Sequence, residues 1–414
     1  MSGLWRRCRR LPRNVFAIGL VSFLNDASSE VIYPLLPVFL SVSLGASPAA
    51  IGLIEGAAES VSSILKLFAG YLSDRLGRRK GLVVFGYALA SVSRMLLAIV
   101  TSWQQALGAR VADRVGKGIR GAPRDALIAD TVSIDERGLA FGLHRAMDHL
   151  GAVVGPLIGF VVLWLVAIVP ATPTRLEFQW VFLAAVVPAF ASVLVAILFV
   201  RDVRQPARDP GVRPPRLTLR GFDGNFMFFL VVLSLFTLSN SSDAFLLLRA
   251  STAGIPTEVL PLLWAGLHVV KVVSSLVGGD LSDRLGRKTL ICSGWMLYAA
   301  VYAGFAFAYS AAHVWLLFGV YGVYFGLAEG AEKALVADLV RPEQRGTAYG
   351  LYNLAFGVTV FPASLIMGAL WSAGGPAFAF LVSAGLGATA ALLLLAVRTR
   401  QVPSAAPALS GGNA

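Results

Sequence analysis

Long apolar stretches alternate with short polar segments along almost the whole chain. About twelve of these stretches are long enough to cross a hydrocarbon layer as a helix, which needs about 20 mainly apolar residues. The predicted helices cover residues 14–42, 48–72, 81–100, 103–132, 138–165, 178–200, 224–250, 257–281, 289–309, 312–340, 344–371 and 374–398. This pattern predicts an all-α integral membrane protein with twelve transmembrane helices.

One polar segment divides the chain in the middle. Residues 201–221 contain four prolines and many arginines, which interrupt any helical pattern. We therefore predict an N-terminal six-helix bundle over 1–200, a cytoplasmic linker over 201–221 and a C-terminal six-helix bundle over 222–398. The polar end, 399–414, is predicted to be a disordered cytoplasmic tail.

Composition supports a membrane protein. Hydrophobic residues make up 57% of the 414 residues, charged residues only 14%, and the mean hydropathy is +0.73, whereas soluble domains carry about 25% charged residues. Neither cysteine, Cys8 or Cys292, belongs to a disulfide or metal-binding spacing. No phosphate loop or nucleophile motif is recognisable, so we expect neither an enzyme nor a cofactor or bound metal.

The net charge of +12 is concentrated in alternate loops. Basic residues are dense in 1–14, 75–80, 201–221, 284–288 and 398–401, and the intervening loops contain very few. This alternation is the positive-inside pattern. It predicts a multi-pass protein of the inner or plasma membrane with both termini in the cytoplasm, and it argues against nucleic acid as a partner.

Two charged segments occur twice in the chain. The sequence GYLSDRLGRRK at 70–80 returns as GGDLSDRLGRK at 278–288, so that Asp283 follows Asp74 by 209 residues. The sequence ALIADTVSIDERG returns as ALVADLVRPEQRG, where Asp338 follows Asp130 by 208 residues. The chain is therefore two six-helix halves in parallel order, and such halves enclose a central cavity near the middle of the membrane.

The repeated loop resembles the signature loop of the major facilitator superfamily, GxxxDRxGR between the second and third helices. The resemblance extends over nearly the whole chain and implies a fold of two pseudo-symmetric bundles with alternating access. It also implies that the loops latch one conformation, and the residues concerned are Gly70, Asp74, Arg75, Gly77, Arg78, Asp283, Arg284, Gly286 and Arg287. The simpler interpretation is that the arginines set topology and the glycines turn the chain.

Small residues in the fifth helix resemble the antiporter motif of the drug-exporter branch of that family. They are Gly142, Gly151, Gly155, Pro156 and Gly159, with Phe160 where the motif has a further glycine. This resemblance implies export in exchange for protons. The alternative is close helix packing, which glycines four residues apart also permit.

Many ionisable residues lie inside predicted helices, where they are costly and therefore functional candidates. The proposed proton-coupling and substrate-cavity residues are Asp26, Glu30, Tyr33, Glu55, Glu59, Arg94, Arg110, Arg114, Lys117, His144, Asp148, Asp243, His268, Lys271 and Glu329. Arg114, in the segment RVGKG, resembles the family's arginine motif, with Arg110 as a competitor. The simpler interpretation is ion pairing, for which Glu329–Lys333 and Asp113–Lys117 have suitable spacing.

Two pairs of acids lie one turn apart, Asp26 with Glu30 and Glu55 with Glu59. Two carboxylates this close in a low dielectric do not both ionise readily, so one tends to hold a proton. The sequence thus predicts a secondary transporter, in monomeric form, that exports a small polar or charged molecule against protons. A proton-coupled importer, a metal-ion exporter and a non-transporting receptor or lipid flippase are the alternatives. The expected partners are the substrate, protons and the lipid bilayer.

Overall fold

A computed structural model describes residues 11–76, 79–133, 136–166, 173–203, 222–341 and 344–398. Within these ranges every regular element is helical. Twelve helices are distinguished: α1 Arg13–Ile32, α2 Pro48–Leu76, α3 Lys80–Leu97, α4 Trp103–Thr131, α5 Arg137–Val166, α6 Arg175–Phe199, α7 Gly224–Ser239, α8 Leu260–Leu285, α9 Arg287–Ala306, α10 Ala311–Leu339, and α11 and α12, which are the parts of Arg345–Leu394 before and after Gly375.

Short segments extend two of these helices, and a glycine separates two others. After α1, a short helical segment Leu36–Val38 and a π-helical turn Phe39–Ser43 continue the span, and Ala244–Thr252 continues α7. Between α11 and α12, Gly375 has a φ of 78° and a ψ of 175°. Glycine adopts this positive φ at little cost, and Pro376 suits the first turn of the helix that follows.

The twelve predicted membrane helices are confirmed. Nine helices of the described chain are long and apolar enough to span a membrane, and one of them, Thr347–Leu394, comprises both α11 and α12. The two remaining helices, α2 and α4, contain thirteen Asp, Glu, Lys and Arg residues between them, which makes them too polar for the same criterion. The predicted helix boundaries differ from the observed ones by a few residues.

The two halves repeat one packing scheme. In the first half α1 packs on α5 and α6, α4 on α2 and α3, and α3 on α6. In the second half α10 packs on α8 and α9, and the helix Arg345–Leu394 packs on both α7 and α9. Between the halves, α2 packs against Arg345–Leu394 and α5 against α8. The chain therefore forms two pseudo-symmetric six-helix bundles.

The two repeated sequence segments meet in space in each bundle. Arg79 Nε lies 3.1 Å from Asp130 Oδ2, and 208 residues later Arg287 bonds to Asp338. These contacts tie the signature loop of each bundle to the end of its α4 or α10 helix. The repeated acids Asp130 and Asp338 are thus the structural counterparts of the loop arginines, as an ion-pairing interpretation expects.

A matched pair of asparagines closes each bundle at the same end. The Asn14 side chain bonds to both the amide (2.9 Å) and the carbonyl (3.1 Å) of Arg201, and Asn225 does the same for Arg398 at 2.8 and 2.7 Å. Each asparagine joins the start of the first helix of a bundle to the chain following its last helix. The two repeated sequence segments do not include these asparagines.

Several predicted features lie outside the described residues. These are residues 1–10, most of the predicted linker (204–221), the predicted tail (399–414), and Gly77 and Arg78 of the first signature loop. Asp74, Arg75, Asp283 and Arg284 lie at helix ends, where the structure describes the backbone alone. The domain boundaries and the latch therefore stay predictions.

Candidate functional site

A cavity lies between the two bundles. It consists of two adjoining hollows of about 540 and 720 Å³ that share Ser63, Lys66, Lys117 and Asn353. The first hollow is bounded by α2, α4, α7, α10 and α11, and the second by α1, α2, α4, α5 and α11. A further hollow of about 890 Å³ lies at the ends of α7, α10 and α12, away from the bundle interface. The cavity between the bundles is therefore the candidate site.

Contacts between the bundles close one end of this cavity. The indole Nε1 of Trp264 donates to Glu30 at 2.7 Å, the ring of Tyr33 lies 5.0 Å from that of Trp264, and the Tyr33 hydroxyl is 3.4 Å from Ser242 Oγ. Lining residues at the other end include Arg124 and Tyr349, which are near the signature-loop ends of α4 and α11. The cavity thus faces the end of the molecule that carries the signature loops.

The glycines of α5 lie directly against α1. A Cβ atom added to Gly151 would come within 2.5 Å of the Phe23 carbonyl oxygen, and one added to Gly155 within 2.3 Å of the Ala27 oxygen. At Gly159 the nearest atom, the Val31 oxygen, would be 3.0 Å away, whereas Gly142 has nothing within 4 Å. Three of the four glycines therefore allow close packing, in agreement with the packing interpretation. Pro156 lies inside the same helix.

This packing fixes the turn of α1 that carries Asp26 and Glu30. Asp26 lines the cavity and accepts a hydrogen bond from Asn25 Nδ2 at 2.9 Å. Glu30 accepts from Trp264, and His268 Nε2 is 3.9 Å from its carboxylate. The two acids share a helix face but have different neighbours: one faces the cavity and the other the closed end.

Arginines of α3 and α4 neutralise the acids of α2 and α4. Arg110 binds Glu55 through two nitrogens, at 2.8 and 3.0 Å, with both side chains buried. Arg114 Nε lies 3.4 Å from Glu59. Because each acid has its own guanidinium, this geometry favours ion pairing over a proton shared between Glu55 and Glu59.

A buried network extends this pairing to α1. Arg94 donates to Asp113 at 3.1 Å and to both oxygens of Asn25, at 2.9 Å for the carbonyl and 3.1 Å for the side chain. Asp113 also lies 3.3 Å from Arg114. The partner that sequence spacing suggested for Asp113, Lys117, was wrong, since Asp113 binds arginines of α3 and α4 and Lys117 faces the cavity. The role of Asn25 was missed because a neutral amide gives no charge signal.

Further candidate residues lie in both bundles. His144 bonds to Ser22 at 2.8 Å and lies 3.5 Å from Asp148, and both His144 and Asp148 line the cavity. In the second bundle Asp243 accepts from Tyr321 at 2.7 Å and lies 3.7 Å from Lys271 Nζ.

One predicted ion pair and one further acid lie on α10. Glu329 and Lys333 form the expected pair at 3.0 Å. Glu332, one turn from Glu329, is buried and accepts hydrogen bonds from Trp295 Nε1 at 2.8 Å and the Tyr352 hydroxyl at 2.9 Å. Glu332 is among the ionisable residues inside the predicted helices but was not included among the proposed cavity residues, because its partners lie on other helices.

Comparison with known proteins identifies the family to which this architecture belongs. The sequence profile of the Major Facilitator Superfamily matches residues 18–329 and 227–413. The chain belongs to the major facilitator superfamily. An uncharacterised MFS-type transporter of Methanocaldococcus jannaschii is 35% identical over 394 residues, which is 94% of this chain and 95% of the relative.

More distant facilitators differ in their described activity. The multi-drug resistance efflux pump PmrA of Streptococcus pneumoniae is 26% identical over 75% of this chain and 76% of its own length. The crystal structure of the nucleoside transporter NupG aligns with a TM-score of 0.73 and 13% identity, over 92% of this chain and 98% of that one. The fold and the transporter class are therefore established for this chain.

Proposed function

We propose that this facilitator is a proton-coupled antiporter of the cell membrane that exports a small polar or charged molecule. The protein alternates between two states in which the cavity opens to one side or the other. Both termini lie in the cytoplasm, as the basic loops indicate, and in the described conformation the cavity faces the cytoplasm, since it opens toward the basic signature loops.

One observation carries the proposal: a charged cavity between two bundles whose opposite end is closed by contacts of Glu30. Glu30 belongs to α1 and its partner Trp264 to α8, so the bond spans the two bundles. When the bundles rock, this bond must break. Protonation of Glu30 weakens its attraction for the indole N–H, and the proton is thereby linked to opening of that end.

Asp26 is the second proton-binding residue of the proposal. It lies one turn from Glu30, lines the cavity, and has a neutral amide as its hydrogen-bond partner. No Lys or Arg nitrogen of the described chain lies within 4 Å of its carboxylate, so this carboxylate is open to the cavity. Asp26 is accordingly better suited to exchange a proton than Glu55, which is held by Arg110.

Two observations support export. The α5 glycines that resemble the exporter motif hold the helix turn with Asp26 and Glu30 against α5, and a relative over three quarters of the chain is described as an efflux pump. A metal-ion exporter is less well supported, because no group of three or more potential His, Cys, Asp or Glu ligands occurs among the described residues. A proton-coupled importer is the second candidate.

The test is transport into inverted membrane vesicles with an imposed pH gradient, using a labelled panel of small polar metabolites. We expect at least one compound to accumulate inside the vesicles, and this accumulation should be lost when the gradient is dissipated. Asp26→Asn and Glu30→Gln should lose gradient-driven accumulation, while substrate exchange without a gradient survives in at least one of them.

The matched control is Glu258→Gln, an acid in the short turn before α8, which should keep gradient-driven transport. If well-folded Asp26→Asn and Glu30→Gln both retained full gradient-driven transport, the proton-binding assignment would be wrong. Accumulation only in right-side-out vesicles would favour the importer.

A further inference from the structure

The two walls of the cavity differ in the ionisable groups that they present. On the N-terminal wall, the arginines Arg110 and Arg114 are ion-paired, whereas Lys66 and Lys117 line both hollows and have no carboxylate within 4 Å among the described residues. The nearest acid, Glu59, interacts with Lys117 and Lys66 as well as with Arg114, so three cations share one carboxylate, and the excess of positive charge attracts an anion. This wall therefore presents positive charge to the cavity.

On the C-terminal wall, Glu332 is the corresponding acidic residue. Its two hydrogen-bond donors, Trp295 and Tyr352, are both neutral, and its neighbour Lys333 pairs with Glu329. Glu332 lines the cavity and is 208 residues from Arg124, a spacing identical to that of Asp130 and Asp338. Equivalent places in the two bundles thus carry a basic and an acidic residue.

Aromatic side chains form part of the same hollow. Phe236 of α7 and Tyr324 and Phe325 of α10 line the hollow that Lys117 and Glu332 share. Their rings are grouped, with Tyr324 4.8 Å from Phe325 and 6.0 Å from Phe236. Such a surface accepts an apolar or aromatic body by stacking and burial of apolar area.

From these three features we infer that the substrate is a zwitterion with an apolar or aromatic body, whose anionic group binds Lys66 and Lys117 and whose cationic amine binds Glu332. The inference rests on the proposed function as a transporter and specifies its substrate class. A hollow of about 540 Å³ holds a molecule of the size of a small amino-acid derivative or dipeptide. A charged group at each end fixes its orientation across the bundle interface.

The experiment measures thermal stabilisation of the purified, full-length protein by matched probes, with no pH gradient present. The probes are phenylalanine, phenylalaninamide and N-acetylphenylalanine, and the corresponding three forms of phenylalanyl-phenylalanine. Within one set the body is constant, and only the carboxylate or the amine is removed. We expect the zwitterion of at least one set to reach half-maximal stabilisation at a concentration about tenfold lower than that needed by either singly charged form. Each singly charged form lacks one of the two charge-assisted contacts that the zwitterion makes.

Two variants assign the charges to the walls. Lys117→Gln should abolish the preference for the zwitterion over the amide but keep its preference over the N-acetyl form. Glu332→Gln should do the reverse. Lys80→Gln and Glu258→Gln remove a lysine and an acid outside the cavity, and both should keep the wild-type order of affinities.

Equal affinities within both sets, no stabilisation by any probe, or an unchanged order in the two cavity variants would overturn the substrate inference. The assay uses no gradient, so its outcome does not depend on proton coupling. Conversely, charge-selective binding in a protein that shows no gradient-driven transport would keep the substrate class and contradict the antiporter.

Discussion

The two bundles have the same helix packing but different interiors. In the first bundle the interface of α2, α3 and α4 contains buried arginines and acids, with Arg110 on Glu55 and Arg94 on Asp113. In the second bundle the equivalent interface of α8, α9 and α10 is rich in aromatic residues, with Tyr298 of α9 lying 5.3 Å from Tyr324 of α10 between ring centroids. Asp113 of the first bundle has Tyr321 as its counterpart 208 residues later.

This difference shows that one backbone arrangement accepts two kinds of core. Close approach of helices is preserved in both: a Cβ on Gly118 would lie 3.0 Å from the Ser62 oxygen, and one on Gly326 would lie 2.4 Å from the Ser274 oxygen. The backbone packing depends on these small residues. The chemistry of the side chains around them is then free to specialise, in the first bundle toward charge and in the second toward aromatic contact.

The largest loss of stability is expected when an ion pair in the interior of the first bundle is disrupted. Arg110→Ala leaves Glu55 buried without its partner and should destabilise the protein by about 3–5 kcal/mol. In contrast, Tyr321→Phe in the second bundle removes one neutral hydroxyl and should cost about 1–3 kcal/mol. Thermal unfolding of the detergent-purified proteins measures both.

The double variant Arg110→Ala/Glu55→Ala is the control for this prediction. Because it removes both charges, it should recover part of the loss. A double variant at least as unstable as Arg110→Ala would mean that packing, and not the unpaired charge, accounts for the effect.

A second comparison concerns α5 and its counterpart α11. Positions 208 residues after Gly151, Gly155 and Gly159 carry Thr359, Ala363 and Met367, so the second bundle accommodates side chains where the first does not. Gly155→Ala should destabilise by about 1–3 kcal/mol, because the new methyl group overlaps the Ala27 oxygen.

The matched control is Gly142→Ala, which meets no atom within 4 Å and should leave stability unchanged or slightly raised. Stability is measured as the temperature at which half of the protein is lost from size-exclusion chromatography. Equal stability of the two variants would show that α1 and α5 are not held as closely as described.

The smallest changes in stability are expected at the ion pairs of the two signature loops, and they should differ between the loops. Arg79 and Asp130 have 7% and 18% of their side chains exposed, and Arg287 and Asp338 have 32% and 35%. Exposed pairs contribute little because water and salt screen them. We therefore expect Asp130→Asn to destabilise by about 1 kcal/mol and Asp338→Asn by less than about 0.5 kcal/mol.

Salt provides an independent check of that comparison. Raising the ionic strength should reduce the effect of Asp338→Asn more than that of Asp130→Asn. The same denaturation series at low and high salt would give both values, and a larger or less salt-sensitive effect at Asp338 would contradict the ranking by burial.

The sequence by itself determined the number of helices, the division into two halves and the position of the repeated loops. Each follows from local composition: a helix that crosses a hydrocarbon layer must be apolar for about 20 residues, and a tight loop at its end needs polar residues and glycine. The spacing within one helix also gave the Glu329–Lys333 pair correctly, because residues four apart lie on one face.

Only the tertiary structure decided which charges meet. Asp113 has Lys117 at a favourable spacing on its own helix, yet it binds Arg94 of α3. Glu30 finds its partner Trp264 in the other bundle, 234 residues away. Such contacts depend on the rotation of each helix about its axis and on how the bundles are set against each other. Those rotations are fixed by the packing of many small residues together, which no local spacing encodes.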